Sequence, residues 1–157
     1  MATRKRHHAT PRWEPGIVSV WVGAFPSRSA AAEYVSEDWV YNPRHTPAPF
    51  LTDFGIPPWF DLHAADGVAL DRPTPIGRLA RNEWFAGQPF AAAAVAECRR
   101  LGVRAANLVI SLYGYRYPGE PGRAAGGMVF VGVFPCPTDA EPGAAADRGR
   151  MFAFWDV

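Results

Sequence analysis

A chain of 157 residues with 48% hydrophobic composition is sized for one domain with a substantial core, and its net charge is only +1. Its longest apolar run, around Ala91 to Ala96, is too short to cross a bilayer, and the opening MATRKRHHATPR lacks the apolar stretch of a secretory signal. A kinase reading of the tripeptide Asp53-Phe54-Gly55 is excluded as well: the only lysine is Lys5, and no G-x-G-x-x-G or G-x-x-x-x-G-K-[ST] occurs.

Charge is unevenly placed. Residues 1–12 hold Arg4, Lys5, Arg6 and Arg12 and no acid, so of 16 basic and 15 acidic groups the rest of the chain keeps 12 and 15. With no aromatic interleaved before Trp13, residues 1–14 are expected to be a disordered basic tail, not a nucleic-acid contact. Sixteen prolines and 15 glycines predict short elements with long connections. Cys98 and Cys136, without C-x-x-C spacing, are expected to be buried thiols of a cytoplasmic protein; a disulfide between them is the less favoured alternative.

In chain order, residues 16–25 (GIVSVWVGAF) carry β-branched and aromatic residues on both parities, as in a strand buried on both faces. A short amphipathic helix is predicted from Ser27, with Ala30, Ala31, Tyr34 and Val35 recurring at three and four. The prolines of WVYNPRHTPAP break regular structure, residues 50–56 are expected to form a helical turn or tight bend, and Pro57-Pro58 forces an extended path. DGVALDRPTP reads as a loop with a short strand at residues 68–70, followed by a helix over residues 76–85. The clearest helix covers residues 88–101. Pro89 is in its first turn, Arg99 and Arg100 are in its last, Gly102 follows it, and Phe90, Ala94, Val95, Cys98 and Leu101 face the sheet.

Two strong strands follow, residues 105–115 and 126–136, expected to form an antiparallel pair joined by the wide loop RYPGEPGRAA. Alternation sends Leu108, Ile110 and Leu112 to one face and Val109, Ser111 and Tyr113 to the other. Residues 137–157 read as a low-complexity linker and an apolar end, MFAFWDV, suited to an edge strand. The order of elements predicts an α+β fold: a single domain over residues 15–136, its antiparallel sheet covered by helices on one face.

Candidate chemistry is sparse. Asp61, His63 and Asp66 are the only cluster with metal-ligand spacing, suited to zinc or manganese. Loop aspartates and histidines are more often solvated or capping groups, so no metal and no cofactor is expected; the alternative is a small metal-dependent enzyme. No G-x-S-x-G occurs, and carboxylates such as Asp53, Asp61 and Glu83 form no specific pair, so no enzyme activity is expected. What remains is a set of aromatics and acids in proline-bounded loops. Trp21, Phe50 and Phe54 are expected to plug the open side of the sheet. Asp38, Trp39, Tyr41, Trp59, Phe60, Asp61 and Asp66 are the candidate partner-binding residues, aromatic anchors beside acids that would steer a basic partner.

The stretches SVWVGAFPSRSAAAEYV, FLTDFGI, ANLVISLYGYRY and GGMVFVGVF, in that order from about Ile17 to Cys136, resemble the immunity protein 22 family of bacterial polymorphic toxin systems. Trp21 and Gly23 match the family's first strand, and Asp53, Phe54, Gly55 and Ile56 match its middle motif. Where that family continues with a tyrosine-rich acidic stretch, this chain has Pro57-Pro58-Trp59-Phe60-Asp61. The resemblance implies a cytoplasmic, non-enzymatic protein whose partner is a cognate toxin domain, often a nuclease with a basic active face; neither membrane nor nucleic acid is an expected partner. It also implies that residues 53–56 form a structural bend, with Phe54 and Ile56 inward and Gly55 at an unusual φ, leaving residues 59–66 as the exposed edge.

Overall fold

The computed structural model describes residues 13–35, 48–57 and 65–137. Five strands form one sheet: β1 (Trp13–Gly23), β2 (Ala65–Pro75), β3 (Ala105–Tyr115), β4 (Ala124–Ala125) and β5 (Met128–Pro135). The spatial order is β2-β3-β1-β5-β4, and every neighbouring pair is antiparallel. The helices are α1 (Arg28–Val35), α2 (Pro49–Asp53), α3 (Ile76–Leu79), α4 (Glu83–Ala86) and α5 (Ala91–Arg100).

β1 holds the middle of the sheet and, like its neighbour β3, buries both faces. Val18, Val20 and Val22 point to one side and Trp21 to the other, all essentially without solvent contact. This placement corrects the expected pairing of the last two strands. β3 and β5 do not pair with each other; each runs along one side of β1, with Val20 opposite Ser111 on β3 and Gly132 on β5. The hairpin in this region is the smaller one between β4 and β5, turned by Gly126 and Gly127 at φ 57° and 90°. Two successive positive φ values suit the twist of a two-residue hairpin and favour glycine at both positions.

The α+β class holds, but the helices lie on both faces of the sheet, not on one. Leu108, Ile110 and Leu112 share a cluster with Trp21, Phe130 and residues of α1 and α2. Val109 and Tyr113 share the other with Val18, Val20, Val131 and residues of α3, α4 and α5. The alternation along β3 therefore runs as its sequence predicts, and both of its sides are covered. Phe90, Ala94, Val95 and Cys98 seat α5 on the sheet, whereas Leu101 is only half-buried.

The strand expected at residues 68–70 extends over the eleven residues of β2. Its prolines are tolerated because β2 is an edge strand, where missing N–H groups cost no ladder bond, and its register shifts between Ala69 and Thr74. The helix expected over residues 76–85 is two, α3 and α4, divided at Asn82. The Asn82 side chain accepts from the amides of Trp84 at 3.0 Å and Phe85 at 3.2 Å, and so starts a new helix.

Candidate partner-binding surface

The Asp53-Phe54-Gly55-Ile56 stretch is the C-terminal stop of α2. Ile56 N–H donates to the Leu51 carbonyl at 2.8 Å and Gly55 N–H to the Thr52 carbonyl at 3.2 Å, with Gly55 at φ 64°. This is the Schellman arrangement, and it favours glycine at the left-handed position. α5 ends the same way, with Val103 N–H to Cys98 O at 2.9 Å and Gly102 N–H to Arg99 O at 3.1 Å. Phe54 and Ile56 turn into the core as expected. Asp53 stays at the surface and accepts from the Tyr34 hydroxyl at 2.8 Å, which pins α2 to α1. The same hydroxyl lies 3.4 Å from the Ala125 carbonyl, so the β4–β5 hairpin joins the anchor. Burial, then this bond to Asp53, pushes the Tyr34 phenol well above its ordinary range.

The aromatics expected to plug the sheet do so. Trp21 lies at ring-centroid distances of 5.1 Å from Phe50, 5.9 Å from Phe54, 5.2 Å from Tyr117 and 5.1 Å from Phe130, mostly edge-on. These rings are core, so any partner surface must be built from other residues.

Of the seven candidate partner-binding residues, Asp66 alone falls within the described residues; Asp38, Trp39, Tyr41, Trp59, Phe60 and Asp61 lie outside them. Asp66 is the second residue of β2, on the edge of the sheet. Its carboxylate is already engaged: Oδ2 accepts from the Trp84 indole N–H at 3.1 Å and Oδ1 from the Gly67 amide at 2.8 Å. Its main-chain carbonyl accepts from Ser111 Oγ at 3.2 Å. Burial raises the Asp66 carboxyl above its usual pKa, while the two donors pull it back toward the ionised form. Asp66 is thus half-buried and oriented, not a freely solvated acid.

The Asp66–Trp84 contact continues inward. Trp84 O accepts from Gln88 Nε2 at 2.9 Å, and Gln88 Oε1 accepts from the Tyr113 hydroxyl at 3.0 Å. The chain of bonds runs from the edge strand through α4 to the middle of β3. Trp84 lies within the helix expected over residues 76–85. Its meeting with Asp66, 18 residues away, leaves no local sequence signal.

Among the described residues no three His, Cys, Asp or Glu side chains converge on a possible metal position. His63 and Asp61, the other members of the expected cluster, lie outside those residues. Cys98 and Cys136 are free and buried. Burial, aided by the negative charge of Glu97, pushes the Cys98 thiol up to about 11, so it is protonated near neutrality. No helix among the described residues is long and apolar enough to cross a membrane.

The described residues form a five-stranded antiparallel sheet faced by helices on both sides, with a half-buried acid on the strand at one end of it. Comparison of the sequence with protein families identifies one: the profile of immunity protein 22 matches residues 18–135. The chain belongs to that family. No curated protein and no solved structure gives a significant match.

Proposed function

We propose that this protein binds a cognate toxin domain and neutralises it by occupying its surface, with no catalysis of its own. The observation that carries the reading is the immunity-protein match across residues 18–135. The contact is assigned to Trp59, Phe60, Asp61 and Asp66, joined by Asp38, Trp39 and Tyr41. Two features of the fold support that assignment. The Schellman stop at Gly55 and Ile56 ends α2 just before Pro57, and the chain reappears at Ala65 as the start of the edge strand. Residues 58–64 therefore link the end of α2 to the strand that ends the described sheet. Pro57 and Pro58 restrict the backbone there, which lowers the entropy lost when aromatic anchors are immobilised.

The toxin is proposed to be a nuclease, whose phosphate-binding face is basic and would meet Asp61 and Asp66. Protection of cells expressing the toxin, measured beside thermal stability on the same variants, tests this. Trp59→Ala should keep its melting temperature and lose about 2 kcal/mol or more of binding, as buried aromatic anchors do. Asp61→Lys should mainly slow association at low salt. A Trp59→Ala variant that unfolds, or that protects as well as the parent, removes this segment from the interface.

A further inference from the structure

A second charged surface lies on the side of the sheet covered by α3, α4 and α5. α3 is a single turn whose Gly77 and Arg78 are exposed while Ile76 and Leu79 are buried. Arg99 of α5 reaches across to it: its Nη2 lies 3.7 Å from where a Cβ on Gly77 would stand. Arg104 begins the approach to β3, and its carbonyl accepts from the Ile76 amide at 2.9 Å, which fixes it at the first residue of the same turn. Arg81 follows at the helix end, its amide bonded to the Arg78 carbonyl at 3.0 Å. All four arginine residues are exposed. The ion pairs among the described residues join Arg28 to Asp71, Arg100 to Glu97 and Arg116 to Glu14, so none of them serves these four.

We propose that Arg78, Arg81, Arg99 and Arg104 form a docking surface for a carboxylate-rich segment of a protein partner. Four exposed cations on one helical turn and the segments bonded to it complement a cluster of carboxylates. The planar guanidinium fork suits bidentate pairing with carboxylates. Phosphates share that chemistry, but the surroundings disfavour nucleic acid. The aromatics of this face, Phe85, Phe90 and Tyr113, are buried and Trp84 is half-buried, so among the described residues this face presents no fully exposed ring for bases to stack on. Exposed Glu83 and half-buried Glu97 rim the cluster, which interrupts the continuous positive track a phosphate backbone requires. The surface goes beyond the toxin-binding reading, since it involves none of the residues assigned there.

The test uses the full chain with two labelled probes at low salt, a short polyglutamate peptide and an oligodeoxythymidylate of equal charge, followed by fluorescence polarisation. The peptide should bind the parent protein more tightly than the oligonucleotide. Arg78→Glu combined with Arg99→Glu should weaken it by about tenfold or more, and the milder Arg78→Gln with Arg99→Gln should act in the same direction. Arg116→Glu, at a residue paired with Glu14 just after β3, changes net charge at a position outside the cluster and should leave binding unchanged. Loss of binding in Arg116→Glu equal to that of the double variant overturns the proposal, because net charge alone then explains it. Tighter binding of the oligonucleotide, or no binding of either probe, also overturns it. Toxin protection is read separately, so failure here and failure of the toxin-binding reading remain distinct.

Discussion

Val20 and Trp21 are neighbours in β1, yet they enter two differently built halves of the core. Trp21 meets a nest of rings, Phe50, Phe54, Tyr117 and Phe130, under two short helices of eight and five residues. Val20 meets Val18, Val22, Val109 and Val131 under α5, whose Ala94 lets the helix backbone come close to the sheet. Around Trp21 rings fill the volume, whereas around Val20 small branched residues meet α5, and the rings of that side, Phe85, Phe90 and Tyr113, share its cluster. The two halves also treat polar atoms differently. On the aromatic side Trp21 Nε1 and the Tyr117 hydroxyl are buried with no hydrogen-bond partner among the described residues. On the other side the Tyr113 hydroxyl reaches Gln88 and the Trp84 indole reaches Asp66. Magnitudes explain how the first arrangement persists. Burying about 200 Å² of an indole at about 25 cal/mol per Å² stabilises by about 5 kcal/mol, more than the roughly 1–3 kcal/mol cost of an unsatisfied donor.

The strongest test of this contrast is to remove the ring. Trp21→Ala should cost about 3–5 kcal/mol in urea unfolding, whereas Val20→Ala, one residue away on the same strand, should cost about 2 kcal/mol. Equal losses would mean that the two halves are not packed by different means. Trp21→Phe sharpens the point, because it keeps a ring and deletes the unpartnered N–H. It should lose far less than the alanine variant.

Much of this architecture is legible in the sequence, for definable reasons. β3 is legible as a strand because both of its faces are covered and its sequence is an almost continuous apolar run, and the helix stops at Gly55 and Gly102 announce themselves through residues that tolerate left-handed backbone. β2 was underestimated because Asp71, Arg72, Pro73 and Pro75 look like loop; an edge strand accepts them. The pairing of β3 with β5 was expected from adjacency in the chain, whereas β1 stands between them. The split of residues 76–85 into two helices rests on a single cap, Asn82, within an otherwise periodic run. At the candidate surface, Asp66 could be chosen for its charge, but its partner Trp84 arrives through tertiary packing alone. The remaining candidates, from Asp38 to Asp61, lie outside the described residues.

A smaller effect should come from the polar network of the α5 side. Trp84→Phe removes the indole N–H from Asp66 and should cost about 1–2 kcal/mol near neutrality. The pH dependence has a definite sign. Burial raises the folded pKa of Asp66 above its unfolded value, so the native state holds this proton more tightly than the unfolded chain. The associated stability is complete below the unfolded pKa and is lost as pH rises through the folded one. Trp84 stabilises the ionised form, so its N–H matters most where Asp66 is charged. The penalty of Trp84→Phe should therefore shrink as pH falls toward about 4. A penalty independent of pH would show that Trp84 acts through packing alone.

The smallest effect is expected where neither half of the core is involved. Glu14 at the start of β1 pairs with Arg116 just after β3, with Arg116 Nε donating to Glu14 Oε2 at 2.7 Å and Nη2 to Oε1 at 2.8 Å. The geometry is bidentate, and the hydrogen bond from Arg116 holds the Glu14 carboxyl below its ordinary pKa. A lowered carboxylate pKa contributes stability above the unfolded value that is lost as pH falls through the folded one. Both side chains are about half exposed, at 46% and 54%, so water and salt screen the attraction and side-chain entropy opposes it. The strand ends are already joined by the buried Ser19 hydroxyl, which donates to the Tyr115 carbonyl at 2.5 Å and accepts from the Tyr117 amide at 3.0 Å. Arg116→Ala should accordingly leave the melting temperature within error at physiological salt, with any residual loss confined to low salt and near-neutral pH. Ser19→Ala, which strands a buried amide, should shift it measurably. If Arg116→Ala destabilises more than Ser19→Ala, the ends of β1 and β3 are held from the surface, not from within the sheet.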